Sequence, residues 1–431
     1  PWVRGGDHPR RGSVSSFGFG GSNFHIALEE YVGPAARAAR TRTAPTELVV
    51  FAADSAEALV AQLRDSDVTM QGTLRWLAQH SQCALSGGSH RVGIIAKDEA
   101  ELRSKLDEAA DKISKTPTQG FSSPRGIHYG VGARTGQLAL VFPGQGSQYV
   151  GMGRDLAMTH DAALAAWDAA AALPLGVSLH QLVFPKPVFD DASRQAQVDE
   201  LMRTENAQPA IGVTSLAQLG LLGELGVVAD MVGGHSYGEV TALHAAGALD
   251  VAAMLQVART RGELMAEAAA NSSGSMTAVA APIEEVRLIV TASGADVTVA
   301  NHNAPNQVVL SGSTEAIDRV EQACSQSGVT ARRLPVATAF HSSIVAASAA
   351  PFREALDAVT VHAPRIPVYA NQLAAPYDAD ANSIRDILGS AIAKPVRFVE
   401  QIEAMYAAGA RIFIEVGPGS VLTGLIGRIL K

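Results

Sequence analysis

The 431-residue sequence predicts an α/β protein: a parallel, doubly wound sheet over roughly the C-terminal two thirds, a smaller β-rich unit inserted within it, and a small α/β unit ahead of both. Three observations predict this. From "LALVFPGQGSQYVGMG" to the C-terminus, apolar strand-like runs alternate with helical periodicity. Inside that region, residues 274–335 carry short β-rich runs and two helical ones. Residues 48–113 show the strand and helix pattern on a smaller scale, bounded on both sides by segments rich in turn formers.

Taken in order, residues 1–31 include "SSFGFGGSNFHIALEEY", in which clustered Gly and Ser precede a β-branched and aromatic run, predicting a turn and one short strand. Residues 32–47, "VGPAARAARTRTAPTE", read as a linker. Next, "LVVFAA" predicts a strand, "SAEALVAQLRD" and "TLRWLAQH" helices, "RVGIIAK" a strand and "DEAELRSKLDEAADKI" a helix. The segment 114–136, with Pro117, Gly120, Pro124, Gly126 and Gly130, reads as a second linker. In 274–335, "SMTAVAA", "VTVANHN" and "QVVLSGS" predict strands, while "PIEEVRLIVTAS" and "STEAIDRVEQACSQSG" predict helices. Together they suggest a unit of β-α-β-β-α-β kind.

Composition excludes several function classes. With 34 Lys and Arg against 42 Asp and Glu, the chain carries a formal charge of −8 and no long basic block, so it lacks the surface a nucleic-acid binder needs. The two cysteines, Cys83 and Cys324, have no spacing that suggests a disulfide framework or a metal site, which fits a reducing, cytoplasmic setting. Apolar stretches such as 211–233 are interrupted by Glu224, Asp230 and glycines, so none predicts a membrane span. The opening "PWVRGGDHPRRG" lacks the apolar core of a signal peptide and reads as a cut from a longer polypeptide.

The chemistry centres on "DMVGGHSYGEVTALHAAGAL", where Gly234-His235-Ser236-Tyr237-Gly238 has the form G-x-S-x-G. Two glycines around a serine between a strand and a helix allow a sharp turn that exposes the hydroxyl, with helix amides directed at the same place. The glycine-rich turn Gly144-Gln145-Gly146 after the strand at Val141-Phe142 can bring the Gln145 N–H beside that of Tyr237 as an oxyanion hole. A phosphate loop is the alternative, but no G-K-[ST] follows. The serine needs a base. On the residues alone His341 in "PVATAFHSSIV" and His302 in "ANHNAPNQVV" both qualify, while the elbow turns His235 away.

The ordered set "VFPGQGSQYVGMG", "GGHSYGEVTALHAAGAL", "ARTRGELM", "GSMTAVAA", "ANHNAPNQVVLSGS", "AFHSSIV", "KPVRF" and "IEVGPGSVLTGLI" resembles malonyl-CoA:acyl carrier protein transacylases and polyketide synthase acyltransferase domains. The resemblance covers 137–431. It implies an α/β-hydrolase-like large subdomain with a parallel sheet and an inserted ferredoxin-like small subdomain at about 274–335. Residues 1–47 resemble a C-terminal ketosynthase remnant and linker, and 48–136 the linker domain between ketosynthase and acyltransferase.

The resemblance implies Ser236 as the acyl-accepting nucleophile and His341 as base and then acid, oriented by a backbone carbonyl, here Lys394, in a dyad rather than a triad. It makes Arg261 the group that grips the malonyl carboxylate, a task suited to a planar guanidinium, whereas Arg259 reads as a solvated helix residue. Gln148, Asn303, Met265 and Met276 are implied pocket residues. Ala339-Phe340-His341 matches the malonyl-type pattern, in which Phe340 crowds an α-methyl branch. One methyl is worth about 1–3 kcal/mol, which predicts preference rather than exclusion. Tyr237 departs from the usual aliphatic residue or glutamine; it joins Phe340 as a selectivity position, and "GHSYGE" resembles iterative synthases such as those of enediyne or polyunsaturated fatty acid assembly.

The implied partners are malonyl-CoA as substrate, an acyl carrier protein bearing phosphopantetheine, and a neighbouring ketosynthase of the same polypeptide. No cofactor or metal of the domain's own is implied, and the fragment is expected to be a monomer. Two alternatives stand beside this reading. A serine thioesterase or esterase would need an acidic partner for its histidine, for which Asp296 is the candidate; a docking scaffold would need no site at all.

Overall fold

The computed structural model describes residues 1–6, 8–33, 45–83, 87–271, 274–334 and 339–431, so most of the linker read at 32–47 lies outside it. The chain divides into two compact units, Pro1–Pro34 with Gly136–Lys431, and Ala35–Thr135.

In the second unit the strands Glu47–Ala53, His90–Ala96, Ile127–Val131 and Phe121–Ser123 lie side by side in that order, all antiparallel. Helices Ala56–Asp65 and Glu99–Lys115 cover the sheet through Leu59, Leu63, Leu102, Leu106 and Ile113. The longer helix starts where the Asp98 carboxylate accepts the Glu101 N–H, and it has acidic residues in its first turn and lysines in its last. The segment read as a second linker, 114–136, instead supplies two strands of this sheet. Its glycines bound a hairpin, while Ile127 and Tyr129 alternate into the core.

In the first unit five strands form one sheet in the order Ala375–Pro376, Val368–Ala370, Met231–Gly234, Gln137–Phe142 and Ala410–Glu415. The last four run parallel. Along Gln137–Phe142, Leu138, Leu140 and Phe142 enter one core while Ala139 and Val141 enter the other. Both faces are covered, which is why the run is continuously apolar. In chain order the four parallel strands stand 3-2-1-4. Their carboxyl ends therefore carry the functional loops: the serine turn after Met231–Gly234 and the glycine turn after Gln137–Phe142.

Residues 274–333 form a second, antiparallel sheet, in the order Val297–Ala304, Gln307–Ser313, Gly274–Val279, Ala331–Arg333, with helices Ile283–Ser293 and Thr314–Gln326 against it. Its core includes Val286, Leu310, Ile317 and the buried Cys324. The pairing of Val297–Ala304 with its neighbour shifts register between Val299 and Asn301 and again between His302 and Ala304. Such bulges re-aim side chains. Between the two shifts Asn301 pairs with Val309 on one side and bridges in parallel to Val396 on the other.

At the N-terminus the predicted strand is present as Phe24–Glu29, but it pairs with a second strand, Arg11–Ser16, that the Gly- and Ser-rich sequence did not suggest. Arg10 binds Glu30 at 2.6 Å and Asp168 at 2.5 Å, joining the hairpin to the rest of the first unit. Among the described residues no helix is long and apolar enough to cross a membrane.

Candidate active site

Met231–Gly234 ends in a turn that leads directly into the helix Gly238–Ala245, and both flanking glycines are required sterically. A Cβ on Gly234 would lie 2.0 Å from the Gly238 carbonyl carbon, and one on Gly238 would lie 1.9 Å from the Phe142 oxygen. Ser236 has φ +52°, a left-handed conformation costly for a residue with a Cβ. Gly238→Ala is therefore expected to destabilise the fold by at least about 1–3 kcal/mol, read as a lowered Tm, with loss of activity in the same variant. An unchanged melt would mean that the turn can relax.

His341 has φ +56° and also projects from a left-handed turn. Its Nε2 lies 2.8 Å from Ser236 Oγ, and its Nδ1 faces the carbonyls of Lys394 at 2.9 Å and Ala391 at 3.1 Å. Two carbonyl acceptors place the ring proton on Nδ1, leaving Nε2 to accept. The motif indicated Lys394 for this place and did not indicate Ala391. Among the described residues no carboxylate, Asp296 included, bonds this histidine. Burial, helped by the charge of Arg261 and by His235, pulls its pKa down to about 3.

His302 is placed elsewhere: its Nδ1 meets Glu400 at 3.2 Å. His235 is half-buried at the edge of the same cavity, with Nε2 on Asn303 Oδ1 at 2.7 Å, not on the serine.

Arg261, 3% exposed, comes from the long helix Val251–Ala270. Its Nη1 donates to Gln208 Oε1 at 2.9 Å and its Nη2 to Ser236 Oγ at 3.3 Å. Burial lowers its pKa to about 10, so it stays charged at neutral pH, favoured by nearby Glu239. Yet among the described residues no carboxylate forms an ion pair with it. Arg259, in contrast, is occupied by Glu263, Asn206 and the Glu205 carbonyl.

Gly144 lets the second loop approach: a Cβ there would lie 2.4 Å from the His235 oxygen. The N–H groups of Gln145 and Tyr237 donate to no acceptor among the described residues, while the flanking Gly146 N–H is taken by Gln148 Oε1 at 2.7 Å. These elements open on a cavity of about 720 Å³ that contains Ser236, His341, Arg261 and Gln145. Gln148, Asn303, Met265, Met276 and Phe340 line it too.

Tyr237 does not line it, which corrects the expectation that its side chain shapes the pocket. As the residue entering the helix it points back into the core, fully buried, with its hydroxyl close to Gly212 and without a hydrogen-bond partner among the described residues. Sequence reasoning also missed Gln208, Asn371, Gln401 and Glu239. The last is buried, bonded to the Tyr377 hydroxyl, and raised by desolvation to about 7. Each is a buried amide or carboxylate, a signal visible only once burial is known. Among the described residues no cluster of His, Cys, Asp and Glu could hold a metal ion.

Fold and site define a mixed α/β protein with a serine, a histidine and a buried arginine meeting at the carboxyl ends of parallel strands. Residues 139–431 match the acyl transferase domain family, and the chain belongs to it. It is 36% identical over 298 residues to a malonyl CoA-acyl carrier protein transacylase of Bacillus subtilis, covering 68% of this chain and 90% of that one. Along its whole length it is 30% identical to part of a polyunsaturated fatty acid synthase from a Thraustochytrium species, spanning 16% of that polypeptide. The solved acyltransferase domain of an iterative polyketide synthase in enediyne biosynthesis superposes with TM-score 0.67 at 28% identity, covering 89% of each chain.

Proposed function

We propose that the chain transfers a malonyl unit from malonyl-CoA to the phosphopantetheine thiol of an acyl carrier protein, by a ping-pong route through a malonyl ester on Ser236, in polyketide or related fatty acid assembly. The observation that carries this reading is Arg261: a buried guanidinium with no carboxylate ion-paired to it among the described residues, 3.3 Å from the serine hydroxyl, suits an acyl group that ends in a carboxylate.

Ser236 Oγ attacks the thioester carbonyl as its proton passes to His341 Nε2, and the oxyanion forms between the N–H groups of Gln145 and Tyr237. Collapse breaks the C–S bond, and His341 returns the proton to the departing CoA thiolate. In the second half the carrier thiol gives its proton to His341 and attacks the ester, and Ser236 recovers the proton as it leaves. No metal or cofactor of the domain's own takes part. The Lys394 and Ala391 carbonyls hold the imidazole, a dyad arrangement. Phe340, Met265 and Met276 bound the acyl pocket, with Phe340 favouring malonyl over methylmalonyl; Gln148 and Asn303 supply its polar edge.

The α/β-hydrolase-like reading of the large subdomain is supported by its parallel sheet and strand–turn–helix serine, and the ferredoxin-like reading of 274–335 by its β-α-β-β-α-β order. The domain boundaries at 47 and 136 are part of the same proposal. Exposed Phe17, Phe19, Phe24 and Ile26 on the N-terminal hairpin suit contact with a ketosynthase of the same polypeptide. We place the domain in the cytoplasm, as a monomer when excised, in an iterative-type synthase. The thioesterase and scaffold alternatives are not favoured: the family is that of acyl transferases, and no acidic group among the described residues holds His341.

Intact-protein mass spectrometry after mixing with malonyl-, methylmalonyl- and acetyl-CoA tests the reading. A malonyl adduct is expected on the wild type and none on Ser236→Ala. Steady CoA release with no adduct would point to a hydrolase, and neither would point to a scaffold.

A further inference from the structure

The left-handed backbone of Ser236 has to be held, and its hydrogen bonds identify the group that holds it. The Ser236 N–H donates to Asn371 Oδ1 at 2.6 Å, and Asn371 Nδ2 donates to the Gly234 carbonyl at 2.6 Å. One side-chain amide therefore grips the turn on both sides of His235. Its orientation is set in turn: Nδ2 also donates to Gln401 Oε1 at 2.8 Å, and Gln401 Nε2 donates to the Tyr369 carbonyl at 3.0 Å. Reversing the Asn371 amide would set donor against donor at Ser236 and acceptor against acceptor at Gly234 and Gln401. Both amides are buried, at 3% and 0% exposure, so no water competes for these bonds.

The main chain of Asn371 reaches the other half of the site. Its carbonyl accepts the Arg397 N–H at 3.2 Å, three residues beyond Lys394, whose carbonyl holds His341. Val396, between them, is stitched to the bulged strand through Ala300 and His302. Serine and histidine are thus referred to one fixed point.

We infer that Asn371, braced by Gln401, is the positioning residue that holds Ser236 in its left-handed conformation with Oγ on His341 and the adjoining Tyr237 N–H aimed at the oxyanion. This rests on the acyl-transfer reading above. Neither residue faces the cavity, so their effect falls on the rate of attack and not on carboxylate binding by Arg261.

The test is quench-flow measurement of acyl-enzyme formation from malonyl-CoA, followed by intact mass, for wild type, Asn371→Ala, Gln401→Leu and the double variant. Each rate constant is normalised to the protein that finally acylates, and each variant is melted. Asn371→Ala is expected to lower the saturated rate constant about 10²-fold while the half-saturating concentration stays within about threefold. Gln401→Leu is expected to cost about tenfold, and the double variant no more than Asn371→Ala alone, because Gln401 acts through Asn371. If Asn371→Ala does not fold, Asn371→Asp carries the same test: it keeps the acceptor for Ser236 and loses both donors. A lowered Tm with an unchanged rate constant in the folded fraction would make the pair merely structural and overturn the inference, as would single-variant losses that multiply. Failure of the wild type to acylate at Ser236 would instead overturn the acyl-transfer reading.

Discussion

His341→Ala is expected to slow acylation of Ser236 by about 10⁴-fold while the fold and malonyl-CoA binding persist, because the serine then has no group to take its proton. Stopped-flow release of CoA measures it. The pH profile of the wild type should be equally distinctive. Burial and Arg261 hold His341 near 3, so its basic, neutral form is complete at every pH well above that. Acylation should therefore not fall, on account of this residue, between about pH 8 and pH 5, where an unperturbed imidazole with pKa about 6.5 would be lost. In the proposed reaction a base this weak would be helped by its substrate: a carboxylate docked on Arg261 would offset the positive charge that adds to burial in depressing the ring, and the histidine would gain basicity as the acyl group arrives. A fall centred near pH 6.5 in free-enzyme kinetics would show that the ring is solvated, against the burial described above.

How much of this was legible beforehand depended on whether a feature was local. The elbow was readable because Gly234 and Gly238 are demanded by contacts within a few residues or with the adjacent strand, and the same holds for Gly144. The alternation of strands and helices was readable because burial on both faces writes continuous apolar runs. The hairpin at 121–131 was mistaken for a linker because a strand of three residues among glycines and prolines carries too little period-2 pattern to register. The residues themselves favoured His341 over His302 only weakly, one following an apolar run and the other in a polar stretch, and it is the approach of 391–394 to His341 that separates the two. Tyr237 was misjudged for a similar reason. Proximity to the serine in sequence says nothing about which side of a turn a ring occupies. Asn371 and Gln401 were invisible because their meaning lies in contacts 135 and 30 residues away.

Arg261→Ala is expected to cost about 10²- to 10³-fold in kcat/KM for malonyl-CoA and to cost acetyl-CoA far less, so that selectivity between them collapses. The same change removes the positive charge beside His341, and the low-pH limb of acylation should move upward, though only in part, because burial, the larger cause of the depression, remains. These two outcomes separate the roles of one side chain: selectivity reports the carboxylate contact, and the pH limb reports the electrostatic effect on the base. Arg261→Lys distinguishes charge from shape. An ammonium restores the charge near His341, so the pH limb should return most of the way, but it lacks the planar fork that meets a carboxylate through two parallel bonds and cannot reproduce the contact made to Gln208 Oε1 in the same plane. Its malonyl selectivity should therefore stay well below that of wild type. Competition between malonyl- and acetyl-CoA, scored as the ratio of the two adducts on Ser236, measures both variants in one experiment. A ratio unchanged in Arg261→Ala would mean that the carboxylate is bound elsewhere in the cavity, and the assignment of Arg261 would fail.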